Sequence, residues 1–252
     1  MRLWVDTDVG GDPDDAVALL CAVAHPGVEL VGVSTVSGDT EWRAAVARGL
    51  VDAPVIAGPQ LDAETVRAVQ PQALLAIGPL TNLAQLLDDG YRPPRLALMG
   101  GTRYPVRHRG EDMAVEYNFA SDPAAASAVL NDHSGTLLCP LDVTVRMRLT
   151  PDERARFVTA DARLGPAFDD WEARTLAAGT PPEETGVWLH DPLALLALVG
   201  EPVLRTETLT LTVGPDGTIV ETSERTEHEV VVDVDAPAAK ARILALLEHG
   251  SQ

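Results

Sequence analysis

Over the first 140 residues, short apolar runs alternate with segments whose apolar positions recur at helical spacing. Leu3-Trp4-Val5 reads as a strand. Asp14 to Ala24 reads as a helix that turns Ala16, Val17, Leu19, Leu20 and Val23 to its buried side, and Pro26-Gly27 ends it. Leu30 to Val36 is apolar and β-branched, the pattern of a strand buried on both faces. A helix follows over 40–51, a short strand over 55–57 and a weak helix over 62–69. Then come a strand over 74–77, a helix over 80–87 and a strand over 96–99 that runs into Gly100-Gly101.

That rhythm predicts an α/β fold: a doubly wound, mostly parallel sheet with helices on both faces. The second half is less regular. Asp122-Pro123 opens a helix with an acid at the N-cap and Pro in the first turn. A strand over 136–140 precedes a broken helical stretch over 150–180, and His190-Asp191-Pro192 opens an apolar helix through Val199. Strands over 206–213, 218–222 and 228–234 surround the Gly214-Pro-Asp-Gly217 turn as a small C-terminal antiparallel element. A helix over 237–248 follows. No repeat or linker interrupts the chain, so one domain over 1–252 is expected. Ligands of doubly wound sheets bind beyond the carboxyl ends of the strands. Asp6-Thr-Asp8, Ser37-Gly-Asp39, Gly78-Pro-Leu-Thr81 and Gly100-Gly101 should therefore converge on one site.

Composition removes several function classes. The 252 residues hold 38 acids against 19 bases, a formal net charge of −19. Phosphate-backbone binders are usually basic, so nucleic acid is not an expected partner. No apolar run approaches the roughly 18 residues of a membrane span, and the chain opens on a strand rather than a leader, so a cytoplasmic protein is expected. Cys21 and Cys139 lie in separate apolar stretches and read as buried free thiols. Lys240 is the only lysine and precedes Ala241, so there is no P-loop and little basis for Schiff-base chemistry.

The chemistry concentrates in Asp6-Thr-Asp-Val-Gly-Gly-Asp-Pro-Asp-Asp15, five carboxylates within ten residues at a strand-to-helix junction. Clustered acids repel, and desolvation sharpens the repulsion. An oxygen-preferring divalent cation such as Ca²⁺ would offset it. N-capping and dipole compensation by Asp12, Asp14 and Asp15 is the alternative, and it leaves Asp6 and Asp8 unexplained.

Asp6 to Ala16 resembles the N-terminal signature of the inosine–uridine-preferring nucleoside hydrolases, in a form with two extra residues before the final Asp pair. Val36-Ser-Gly-Asp39 is similar to that family's second strand end, and Gly78-Pro-Leu-Thr-Asn-Leu-Ala84 to its G-P-L-T-N segment. Leu98-Met-Gly-Gly101, with Val115-Glu-Tyr-Asn-Phe119 and Asp122-Pro123, resembles its ribose-binding stretch, and His190-Asp191-Pro192 its late H-D-P. The resemblance implies Ca²⁺-dependent hydrolysis of the N-glycosidic bond of ribonucleosides to ribose and free base, in purine and pyrimidine salvage, by a homo-oligomer. It implies Asp8, Asp15, Asp191 and the Thr81 carbonyl as metal ligands, with Asp8 also the base that takes the attacking water's proton. Asp14, Glu116 and Asn118 would hold the ribose hydroxyls, Asp39 would lie near metal and ribose, and Met99 beneath the sugar. His190 would protonate the leaving base.

These residue types suit the reaction. The sugar becomes oxocarbenium-like, carboxylates stabilise its positive charge, and a histidine near its ordinary pKa supplies a proton. Three departures stand out. Only 41 residues separate Asp39 from Thr81, where relatives carry a long loop with a His-Gly motif, so the base side is expected to be more open. Asp39 stands where many relatives have Asn. Gly110 stands where they often have an Asn that touches the sugar's 5′ side, and Arg107-His108-Arg109 before it reads as a solvated basic turn. Two alternatives compete: a relative that binds a nucleoside or sugar with little or no turnover, and a haloacid-dehalogenase-like phosphatase with Asp6 as nucleophile.

Overall fold

The computed structural model describes residues 1–223 and 226–250. The chain runs β1 (Arg2–Thr7), α1 (Asp14–Ala24), β2 (Glu29–Thr35), α2 (Thr40–Arg48), β3 (Val55–Ala57), α3 (Ala63–Ala68), β4 (Ala73–Ala76), α4 (Thr81–Asp88) and β5 (Leu96–Met99). A hairpin of β6 (Val106–His108) and β7 (Glu111–Met113) comes next, then α5 (Tyr117–Ser121), α6 (Pro123–Asp132), β8 (Leu137–Cys139) and α7 (Leu141–Thr144). The remainder is α8 (Pro151–Ala160), α9 (Leu164–Ala177), α10 (His190–Val199), β9 (Leu204–Val213), β10 (Ile219–Glu221), β11 (Glu227–Val234) and α11 (Ala236–Gly250).

Nine strands form one sheet in the order β10-β9-β11-β8-β5-β4-β1-β2-β3. Everything from β11 to β3 is parallel. Alternation along β1 separates the two layers. Leu3 and Val5 pack with apolar residues of α1, α10 and α11, whereas Trp4 packs with Leu83 and Leu86 of α4 and Val129 of α6. Both faces are covered, as a parallel sheet requires.

The predicted doubly wound α/β architecture is the one observed, with one refinement. The C-terminal strands are not a separate element. β11 pairs in parallel with β8 through Glu229↔Leu137 and Val230↔Leu138, and β9 and β10 follow it antiparallel. The segment Leu137-Leu138-Cys139 is buried on both faces, so its free edge needs a partner, and β11 supplies the hydrogen bonds. The β6–β7 hairpin and the short helices α5 and α7 carry no clear period and were not anticipated.

One buried group in β11 makes a pH prediction. His228 is 1 % exposed, with the Leu130 backbone beside its ring. Burial, with His133 adding repulsion, pushes its pKa down to about 4. The unfolded chain takes a proton near pH 6.5 that the folded chain refuses until about pH 4, so stability falls as pH drops through that window. The loss is about 2–3 kcal/mol between pH 7 and pH 4.5. His228→Leu is expected to remove that part of the acid sensitivity in urea melts at the two pH values. Equal acid losses in both proteins would contradict the assignment.

Candidate active site

At the carboxyl end of β1 the loop carries Asp8 and Asp12, and the first turn of α1 carries Asp14 and Asp15. Gly78, just after β4, lets that loop approach. A Cβ there would lie 3.0 Å from both the Asp8 nitrogen and Asp8 Oδ1, and 2.7 Å from Val36. Asp14 and Asp15 begin α1 and are buried, and α10, packed beside α1 on the same face of the sheet, brings Asp191 against them. One carboxylate oxygen each from Asp14, Asp15 and Asp191 lie within 4.8 Å of one another. Asp14 Oδ2 accepts the backbone N–H groups of His190 at 3.0 Å and Asp191 at 3.3 Å, tying the two helix starts together. Asp15 accepts the Thr7 hydroxyl.

The cluster is electrostatically uncompensated. Burial, then neighbouring acids, raises Asp14, Asp15 and Asp191 well above the usual carboxylate range. Burial pushes Asp8 up to about 6 despite Arg43, whose guanidinium lies 3.7 Å away. Arg109 pairs with Asp12. Two arginines leave most of the negative charge unmatched. All of these side-chain donors are hard oxygens, and that set fits a divalent cation of the Ca²⁺ or Mg²⁺ type.

Asp8, Asp14, Asp15 and Asp191 open onto a cavity of about 450 Å³, a size suited to a small polar ligand. Met99, Glu116, Asn118 and His190 also line it. Glu116 caps α5, accepting the Gly101, Asn118 and Phe119 N–H groups, and burial pushes its pKa up to about 7. Asn118 donates to the carbonyls of Met99 at 3.1 Å and Ile77 at 3.3 Å. His190 Nδ1 is 2.7 Å from the Thr144 hydroxyl. Burial, with His108 and Arg109 beside it, holds the His190 ring well below its ordinary pKa rather than near it. A wider groove of about 780 Å³ near Arg148 and Arg154 gathers no comparable chemistry, and Arg154 is paired with Asp169 and Glu172.

Two expected site residues lie elsewhere. Thr81 is exposed as the first residue of α4, does not line the cavity, and donates its hydroxyl to Asp122 at 2.7 Å. At that strand end the residue lining the cavity is Ile77, whose carbonyl accepts the Asn118 amide at 3.3 Å. Asp39 is also exposed, and it caps α2 by accepting the Trp42 N–H at 3.0 Å. The helix cap takes up Asp39, and the tie to Asp122 takes up the Thr81 hydroxyl, competing uses that a strand-end motif does not reveal.

Asp6 is 2 % exposed and absent from the cavity wall, its Oδ1 taken by Ser34 at 2.5 Å and Asn82 at 2.8 Å. That removes it as a phosphatase nucleophile. The basic turn is only partly solvated. Arg107 is exposed, but His108 and Arg109 turn into the cavity, while Gly110 does not line it. With Trp171 of α9 they line the cavity, His108 beside His190. None of these wall residues was assigned a role from the sequence.

The family model for the inosine-uridine preferring nucleoside hydrolases matches residues 48–241. The chain is 30% identical to the non-specific ribonucleoside hydrolase RihC of Shigella boydii, with 95% of this chain and 90% of that protein covered. The alignment is 297 positions long, so it steps over segments that this 252-residue chain lacks. The fold is similar to that of the plant nucleoside hydrolase PpNRh1 (TM-score 0.83, 18% identity, 98% of each chain). It is also similar to the inosine-uridine preferring nucleoside hydrolase of Bacillus anthracis (TM-score 0.76, 24% identity, 98% of this chain and 99% of that one). No described helix is long and apolar enough to cross a membrane. Signature acids gathered at one cavity, a match over most of the chain and the shared architecture have one reading: this chain belongs to the inosine-uridine preferring nucleoside hydrolase family of N-glycosidases.

Proposed function

We propose that the chain is a Ca²⁺-dependent, ribose-specific nucleoside hydrolase acting on purine and pyrimidine ribonucleosides, as a cytoplasmic homo-oligomer. The observation that carries this reading is the convergence of Asp8, Asp14, Asp15 and Asp191 at a cavity that Asn118, Glu116 and Met99 also line. Asp8, Asp15 and Asp191 would hold the cation, with the Ile77 main-chain oxygen in the place expected for Thr81. Bound there, a divalent cation supplies positive charge that orients water and lowers its pKa.

The remaining steps belong to the side chains. Asp14 and Asn118 engage the ribose 2′- and 3′-hydroxyls, with Glu116 fixed beside them by three backbone N–H groups. Met99 packs beneath the ring. Asp8 takes the proton from the attacking water. The surrounding carboxylates stabilise the oxocarbenium-like sugar as the C–N bond breaks. His190, held through Nδ1 by Thr144, hydrogen-bonds the departing base.

The test is a panel of inosine, adenosine, uridine, cytidine and their 2′-deoxy forms incubated with protein and Ca²⁺ and scored for free sugar. Ribose release from several ribonucleosides is expected, with the 2′-deoxy forms slower by about 10²-fold or more because buried hydroxyl partners are then left unpaired. Binding without sugar release would favour the non-hydrolytic alternative, and release of neither would overturn the reading.

A further inference from the structure

Two arginines line the cavity, and they have different neighbours. Among the described residues, no other arginine or lysine reaches it. Arg43 serves the side of Asp8. Its Nε donates to the Ser37 carbonyl at 2.8 Å, its Nη1 donates to the Val9 carbonyl at 3.1 Å, and its Nη2 lies 3.7 Å from the Asp8 carboxylate. Every nitrogen of that guanidinium is committed. Arg109 serves the side of His190. It follows His108, whose ring is 5.1 Å from that of His190, and its guanidinium carbon lies 4.6 Å from the Trp171 ring centre and 5.3 Å from that of Trp188, two positions before His190.

Arg109 is held there at a cost. With Gly110 it forms the two-residue loop between paired His108 and Glu111, at φ of +52°, a region that glycine adopts freely and arginine does not. Asp12 takes its Nη2, and the two indoles flank the guanidinium. Glu184 accepts the Gly110 N–H from the other side of the turn. Strain that is over-determined in this way clusters at functional sites. These ties leave one group over. Nη2 is spent on Asp12 and Nε is closed off, whereas Nη1 is not closed off and has no hydrogen-bond partner among the described residues, in a side chain that is 21 % exposed. His190 spends its Nδ1 on the Thr144 hydroxyl. Arg109 brings to the same side a permanent positive charge, which an imidazole does not keep at neutral pH.

We infer that Arg109 is a leaving-group residue, its guanidinium donating from Nη1 to the departing base beside His190. The role rests on the hydrolase reading above. As the C–N bond breaks, its electron pair passes to the base, and the guanidinium stabilises the negative charge that spreads over ring nitrogens and exocyclic oxygens. Arg109 keeps all of its protons. Asp8 receives one from the attacking water as the new C–O bond forms at the same carbon, and solvent returns one to the base.

The experiment compares leaving groups. Arg109→Gly suits the positive φ of the turn and removes the guanidinium. It is expected to lower kcat/KM for inosine and uridine by about 10- to 100-fold. For p-nitrophenyl β-D-ribofuranoside, whose phenolate departs without help, the loss should stay below about threefold. Guanidinium chloride, added well below denaturing concentration, should return part of the inosine rate to the glycine variant, and sodium chloride at the same ionic strength should not. If the glycine variant does not fold, Arg109→Gln gives the same two-substrate comparison. Equal losses on both substrates, or no loss on either, would overturn the role of Arg109. A wild-type protein that cleaves neither substrate would instead overturn the hydrolase reading.

Discussion

Replacing Asp8 with asparagine is expected to lower kcat/KM on ribonucleosides by about 10³-fold or more while leaving the fold intact. Loss of a general base alone costs about 10²–10⁴-fold, and a weaker grip on the cation adds to that. The substitution is isosteric at the point where Gly78 admits the loop, and it removes a carboxylate that burial already penalises. Melting temperatures without added cation should therefore stay level or rise. An Asp8→Asn protein within tenfold of wild-type kcat/KM would take Asp8 out of the mechanism. A fall in melting temperature together with activity would show damage to the fold instead.

The second large effect concerns the cation. Four carboxylates face one another with two arginines close by, so a divalent ion that binds only the folded state should stabilise it strongly. At a hundredfold excess over Kd the gain is about 2.7 kcal/mol, roughly 5–10 °C in Tm for a chain of this size. Chelation should reverse the shift and abolish nucleoside cleavage, and Ca²⁺ should restore both. Asp191→Asn should lose most of the shift. A melting temperature indifferent to Ca²⁺ and chelator would argue against a cation at this cluster.

Helical and strand periods were legible wherever burial repeats them. Asp14–Ala24 and Leu96–Met99 lie where the apolar spacing puts them. The acids of the β1–α1 loop and Asp191 were readable because so many carboxylates at a strand-to-helix junction demand an explanation. Thr81 and Asp39 fall outside the cavity lining. Each follows a strand in sequence but opens or caps a helix, Asp39 accepting the nearby Trp42 N–H and the Thr81 hydroxyl reaching Asp122. The hairpin was illegible on other grounds. Val106-Arg107-His108 and Glu111-Asp112-Met113 are too short to show alternation, and Arg-Gly is not among the favoured turn pairs. The inward turn of His108 depends on Trp171 and Trp188, which lie 63 and 80 positions further along and which no local window connects to it.

The place of β11 between β8 and β9 sets the order in which the molecule can be completed during synthesis. The six central strands, β3 through β8, are all encoded before residue 140, yet the β8 edge stays unpaired until residues 227–234 have emerged. The apolar side of α1, among the first segments made, is covered by Ile243 and Leu247 of α11, among the last. Until then a nascent chain presents an open strand edge and a bare helix face, features that invite pairing with other chains. Loss of α11 and β11 would leave that state permanent, so the final tenth of the chain acts as the closure that separates a finished enzyme from an aggregation-prone intermediate.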